Sequence, residues 1–230
     1  MIVLPVALAG IGALAYGAYE PNAQLFGPVI GRGPRVRSIY LTFDDGPNAD
    51  ATPRLLETLD RLSAPAAFFM VGAFARQQPA LARGVSNAGH LIGNHTLSHV
   101  KLHRRSPGTI GREIREAHEI LRETTGQVPR AFRAPHGYRN PFVAPVTRAL
   151  GYRVFGWTFG VWDTARPGVE EIRRRVRTRL APGAIVLLHD GDGYDPRGDR
   201  RQTADALPGI IADARDAGYT IRPLSELLSS

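Results

Sequence analysis

The chain has 230 residues, is 43% hydrophobic and 8% aromatic, and carries 25 glycines and 18 prolines. This composition suits one compact domain with a self-sufficient core and excludes disorder, collagen and coiled coil. It contains no cysteine, which removes disulfide frameworks, thiolate metal sites, iron–sulfur clusters and thiol nucleophiles, and its net charge of +8 comes from 29 basic against 21 acidic residues, with Lys101 the single lysine.

In chain order, Ile2 to Tyr19 is uncharged and apolar, at the short end of a membrane span and also compatible with the apolar core of a signal peptide, with a small-x-small site at Ala13-Leu14-Ala15. No basic residue precedes this run. We expect residues 1–19 to be an anchor or a cleaved export signal, followed by a Gly/Pro-containing linker over 20–35 and one folded domain over 36–230. Export would leave the domain membrane-anchored on the cell exterior, or secreted if the segment is cleaved.

From Val36 onward short apolar runs alternate with helical patterns. Strands are predicted at 36–43, 66–71, 90–93, 131–133, 152–157, 184–188 and 219–221, and helices near 51–62, 73–88, 108–124, 141–149, 168–180, 203–217 and 224–228. Gly89, Gly126, Gly151 and Gly218 stand where helix ends want a left-handed residue. Repeated β–α alternation with short connections implies a parallel sheet, open or closed into a barrel. The arginine-rich run Arg173–Arg179 has Val169, Ile172, Val176 and Leu180 at helical spacing, so its charges read as the solvated face of a helix. Without interleaved aromatic residues it does not read as a nucleic-acid footprint.

The polar residues that carry chemistry cluster at strand ends. Asp44-Asp45 follow the first strand, His95 and His99 the third, Arg133 ends the fourth, and His189-Asp190 follow the sixth. In α/β sheets and barrels the C-terminal strand edge is where active sites assemble. His95-Thr-Leu-Ser-His99 places two imidazoles four residues apart, side by side if the stretch is helical, a spacing that suits two ligands on one cation. Two hydrogen-bonded histidines would read the same way. Asp44-Asp45-Gly46-Pro47 reads as a turn, but paired carboxylates at a strand end are costly without a cationic partner. Asp45, His95 and His99 together offer a three-ligand site with open positions, as a catalytic metal requires. His90, His103 and His118 read as structural or solvated, with His118 on an exposed helix face.

Taken together, Thr42-Phe-Asp-Asp-Gly-Pro47, His95-Thr-Leu-Ser-His99, Arg133-Ala-Pro-His-Gly137 and Leu187-Leu-His-Asp190 occur in the order found in polysaccharide deacetylases, and the chain resembles that family, carbohydrate esterase family 4 or the NodB-homology type. The resemblance implies a distorted (β/α) barrel of about seven parallel strands. It implies a divalent metal, zinc first and cobalt, manganese or nickel as alternatives, on Asp45, His95 and His99. It also implies Asp44 as general base, His189 as general acid, Arg133 as the partner of Asp44, the backbone N–H of His136 as an oxyanion donor, Pro135 and His136 at the substrate, and Leu187 lining the acetyl pocket. Two features depart from the family pattern: His136 stands where an aromatic residue is common, and Trp162-Asp163 reverses a common Asp-Trp, with Asp163 as the partner that tunes His189. The expected activity is removal of N-acetyl groups from an amino-sugar glycan by a monomer that binds no nucleic acid; the alternatives are an O-acetyl esterase on xylan-type polysaccharide and an inactive glycan-binding module.

Overall fold

The computed structural model describes residues 3–229. Its organising element is β1 (Ser38–Asp44), whose seven residues are all buried. β1 pairs in parallel with β2 (Ala66–Met70) on one side and β7 (Ala184–His189) on the other. The sheet continues through β3 (Leu91–Asn94), β4 (Ala131–Phe132) and β5 (Arg153–Val154) at one end and β6 (Phe159–Gly160) at the other, in the order β5-β4-β3-β2-β1-β7-β6. β8 (Thr220–Ile221) pairs in parallel with the start of β1. The seven parallel strands of that order, with β8 beside β1, form a curled half-barrel. Residues 30–32 bridge its two ends, with Ile30 paired to Phe155 and Arg32 to Ala184.

Side chains alternate between the two faces of a strand, and here both faces are covered. Ile39, Leu41 and Phe43 of β1 join Phe68, Met70, Val186 and Leu188 in the core under the outer helices. These helices include α2 (Ala51–Arg61), α7 (Val169–Arg177) and α8 (Arg201–Asp216). Tyr40 faces the other way and packs with Phe69, Phe155 and Ile185 inside the curl. Thr42 and Asp44 occupy the same inward row, and alternation therefore carries Asp44 to the barrel mouth.

Most predicted elements are present within a residue or two. The long helix expected over 73–88 is instead two, α3 (Gly72–Gln77) and α4 (Pro79–Asn87), because Gln78 leaves helical geometry and Pro79 starts a new helix. α5 (Pro107–Thr125) is capped by the Ser106 side chain at one end and by left-handed Gly126 at the other. α6 (Val143–Ala149) matches its prediction, whereas 224–228 is a 3-10 turn. β6 is an additional strand of two residues, too short for any periodicity to register. His118 is buried, not exposed: its Nδ1 lies 2.8 Å from the Tyr152 hydroxyl.

The N-terminal expectations fare differently. α1 (Val3–Tyr19) is a 17-residue helix, and no helix among the described residues is long and apolar enough to cross a membrane. Residues 20–35 are packed onto the barrel. Ala23 is fully buried, the Asn22 amide donates to the Trp157 carbonyl at 2.9 Å, and the Arg139 guanidinium donates to the Ala23 carbonyl at 2.6 Å.

Gly93 in β3 lies against the Phe69 ring, and a Cβ added there would collide with it. Gly93→Ala should destabilise the protein by about 1–3 kcal/mol in denaturant unfolding, as overpacking does. Gly84→Ala, where a methyl group meets nothing within 4 Å on α4, should leave stability unchanged or raise it by up to about 1 kcal/mol. Equal effects at the two positions would contradict this account of the packing.

Candidate active site

Parallel register brings the site together. Asp44 stands level with Phe69 of β2 and His189 of β7. The chain then turns sharply: Asp45 has a left-handed φ of 77°, and the Gly46–Pro47 bond is cis. This reversal breaks the strand alternation and turns a second carboxylate toward the mouth. The turn is fixed to β2, with the Asp45 N–H donating to the Phe69 carbonyl at 3.2 Å and the Val71 N–H to the Gly46 carbonyl at 2.9 Å.

His95 and His99 are not on a helix, unlike the condition under which their spacing would place them side by side. They lie on a loop bent by left-handed residues at Thr96 (φ 67°) and His99 (φ 56°). Buried Glu113 of α5 holds that loop by accepting from the Ser98 N–H at 2.9 Å and the Ser98 hydroxyl at 2.8 Å. The two ring centroids are 5.1 Å apart. His95 Nδ1 lies 2.8 Å from the Arg133 carbonyl, which as an acceptor requires the ring proton there and leaves Nε2 as a lone pair.

Asp45 Oδ1 lies 2.9 Å from His99 Nε2 and 3.3 Å from His95 Nε2, yet it is a buried acceptor without a hydrogen-bond donor. The three ligand atoms lie within 4.8 Å of one another. A buried carboxylate oxygen converging with two imidazole nitrogens is a donor set suited to a zinc-like divalent ion, and such an ion would satisfy the orphaned oxygen.

Arg133 is completely buried. Its guanidinium donates to Asp44 Oδ1 at 2.6 Å, to the Thr42 hydroxyl at 2.9 Å and to the Gly156 carbonyl at 2.8 Å, and it lies 4.1 Å above the Phe69 ring. On the opposite side, Asp163 is fully enclosed. Its Oδ1 lies 2.8 Å from His189 Nδ1, and its Oδ2 accepts from the His189 N–H at 2.8 Å and the Thr203 hydroxyl at 2.9 Å. Trp162, left-handed with φ 55°, allows this by turning its own ring outward, 73% exposed, while the next residue points in. Burial works against a charged His189, but Asp163, with Asp45 and Asp44 behind it, pushes the imidazole up to about 9.

These groups line or underlie one cleft of about 510 Å³. Of the residues singled out in the sequence, Asp44, Asp45, His95, His99, His136, Leu187 and His189 line it; Arg133 and Asp163 lie beneath it, and Pro135 is buried away from its wall. Sequence reasoning missed Tyr194, whose hydroxyl lies 2.8 Å from His136 Nε2 and whose ring meets His99 edge-on at 4.9 Å. It also gave no role to Asp190. This carboxyl is buried under the Gly46 backbone and accepts from the Thr52 hydroxyl at 2.6 Å, and its other oxygen has no partner. Burial, reinforced by Asp45 and Asp44 and opposed by Thr52, pushes it up to about 7.

A carboxylate–imidazole cradle beside a buried carboxylate–arginine pair and a carboxylate-held histidine, all at the C-terminal mouth of a parallel barrel, is the equipment of a metal-assisted hydrolase. The chain belongs to the polysaccharide deacetylase family, whose model matches residues 31–155. It is 38% identical over 200 residues to a chitooligosaccharide deacetylase of Bradyrhizobium, covering 83% of this chain and 90% of that one. It is 36% identical over 192 residues to a peptidoglycan-N-acetylglucosamine deacetylase of Bacillus cereus, covering 83% and 87%. Among solved structures, the Bc1960 peptidoglycan N-acetylglucosamine deacetylase superposes with a TM-score of 0.80 at 27% identity, covering 88% of this chain and 93% of that one.

Asp190 binds its proton more tightly in the folded than in the unfolded chain, so its stabilising contribution is present at low pH and is lost as pH rises toward about 7. Asp190→Asn, which imitates the protonated form, should flatten the fall in stability between about pH 4 and 7 and stabilise the metal-free protein at pH 7. Unfolding midpoints across that range measure this. A variant that is as pH-sensitive as the parent would contradict it.

Proposed function

We propose that this protein is a metal-dependent polysaccharide N-deacetylase, hydrolysing the acetamide of an N-acetylated amino sugar in a peptidoglycan or chitin-like glycan to acetate and a free amine. The observation that carries this reading is the juxtaposition of Asp44 and His189, in register on β1 and β7, beside the Asp45–His95–His99 cluster. The two groups stand in opposite protonation roles, as base and acid catalysis of one hydrolysis requires.

A divalent ion held by Asp45, His95 and His99, zinc first with cobalt, manganese or nickel as alternatives, supplies Lewis-acid polarisation of the acetyl carbonyl when bound. Asp44, held in place by Arg133 and Thr42, accepts a proton from the attacking water. His189 is cationic at neutral pH. With Nδ1 engaged by Asp163, it delivers the Nε2 proton to the departing nitrogen as the carbon–nitrogen bond breaks. Leu187 at the cleft wall meets the acetyl methyl, and the His136 N–H is a second donor for the oxyanion. Glycans of this kind lie outside the cytoplasmic membrane, and the reading sets the domain there as a monomer, with residues 2–19 as its export segment.

The test is acetate release from chitin oligomers, peptidoglycan and acetylated xylan across pH. We expect release from the N-acetylated substrates, with a rate that falls at alkaline pH as His189 loses its proton. Asp163→Asn should move that limb to lower pH, because the carboxylate that raises His189 is gone. Release from xylan alone would assign the site to O-acetyl esters. No release from any substrate would overturn the proposal.

A further inference from the structure

A second cavity, of about 270 Å³, adjoins the catalytic cleft and shares His99 and Tyr194 with it. Its remaining wall includes Ser98 and three exposed cations, Lys101, Arg104 and Arg105, and no acidic residue lines it. Among the described residues no carboxylate lies within ion-pair distance of these three side chains, although Arg104 Nε donates to His103 Nε2 at 3.1 Å. The nearby acid, Glu113, has both oxygens engaged by Ser98. Cations elsewhere are spent differently: Arg200 at the cleft is paired with Asp192 at 2.7 Å, and Arg173, Arg174 and Arg175 of α7 with Asp213 and Glu171.

The loop that bears the three charges is pinned. Leu102 is fully buried, and the Asn140 amide donates to the carbonyls of Leu102 at 3.2 Å and Arg105 at 3.1 Å. The field is felt locally: after burial, Arg104 and Lys101 are what hold His103 below its ordinary range. Three cations without a carboxylate partner on a fixed loop, one wall away from the reaction centre, form a receptor for an anion that arrives with the substrate.

We propose that Lys101, Arg104 and Arg105 form a subsite for a carboxylate carried by the glycan beside the sugar being deacetylated, so that the enzyme prefers an acidic glycan to a neutral one. This rests on the N-deacetylase reading above. Two sources present that chemistry in peptidoglycan: the lactyl ether carboxylate of the alternate sugar, and the carboxylates of the attached peptide. A neutral chitin oligomer presents neither.

The experiment compares kcat/KM for chitotetraose, for peptide-free glycan strands that keep the lactyl groups, and for peptide-bearing strands. The enzymes are the parent, a K101Q/R104Q/R105Q variant and a K101E/R105E variant, each checked for an unchanged unfolding midpoint. Exposed ion pairs are individually weak, so the ratio of acidic to neutral kcat/KM should fall about tenfold in the glutamine variant and further in the glutamate variant, through KM. Rising salt should lower the same ratio in the parent alone. A fall already seen on peptide-free strands identifies the lactyl carboxylate; a fall confined to peptide-bearing strands identifies the peptide. A ratio that neither variant changes overturns the subsite while leaving the deacetylase reading intact. Failure of the parent to release acetate from any of the three substrates overturns both.

Discussion

Arg133 and Asp44 form an ion pair whose guanidinium is shut away from solvent, and the rest of the site is arranged around that pair. The guanidinium is fully buried, so each of its partners has to be supplied by the fold. It takes Asp44 and Thr42 from β1 and the Gly156 carbonyl from the segment between β5 and β6, and it rests on Phe69 of β2. The carbonyl of the same residue orients His95. One buried arginine therefore ties Asp44, His95 and three segments of the chain into one geometry. Removing one member of such a pair costs about 3–5 kcal/mol, because the other is left as an uncompensated buried charge.

The segment over residues 20–33 belongs to the same arrangement. Ile30 accepts from the Gly156 N–H and donates to the Val154 carbonyl, and Asn22 holds the Trp157 carbonyl. These contacts fix the peptide that Arg133 uses. What composition marks as a linker is therefore the strap across the open edge of the half-barrel. The barrel mouth also concentrates carboxylates, and apart from Asp192, which pairs with Arg200, four of them are answered differently. Asp44 is paired with Arg133 and Asp163 with His189; Asp190 is pushed toward its neutral form; Asp45 alone faces two imidazoles with an unsatisfied oxygen. That leftover acceptor is the electrostatic reason the mouth suits a cation.

Much of this was legible from the sequence, for identifiable reasons. β1 and β7 are apolar runs that end in Asp44-Asp45 and His189-Asp190, so their ends align as a site edge in the sequence alone. The Asp163–His189 contact could be named from motif order, although the turn at Trp162 that makes it possible could not. What escaped depends on backbone geometry or distant pairing. The positive φ at Thr96 and His99 replaces the helix that their spacing suggested. His118 looks like one more polar residue on a charged helix, and only the hydroxyl of Tyr152, 34 positions away, accounts for its burial. Tyr194 stands alone in a Gly/Asp-rich loop, with no periodicity to mark it. Asp190 is adjacent to His189 in the chain, but the strand sends its side chain to the Thr52 side.

Metal content measured alongside turnover on the same purified Asp44→Asn and Asp45→Asn proteins tests most directly whether the two adjacent carboxylates do different work. Asp44→Asn should retain the metal and lose about 10²–10⁴-fold in rate, the scale of a lost general base. Asp45→Asn should lose metal and activity together, because only two protein ligands remain. A metal-free Asp44→Asn protein beside a fully loaded Asp45→Asn protein would contradict the assignment.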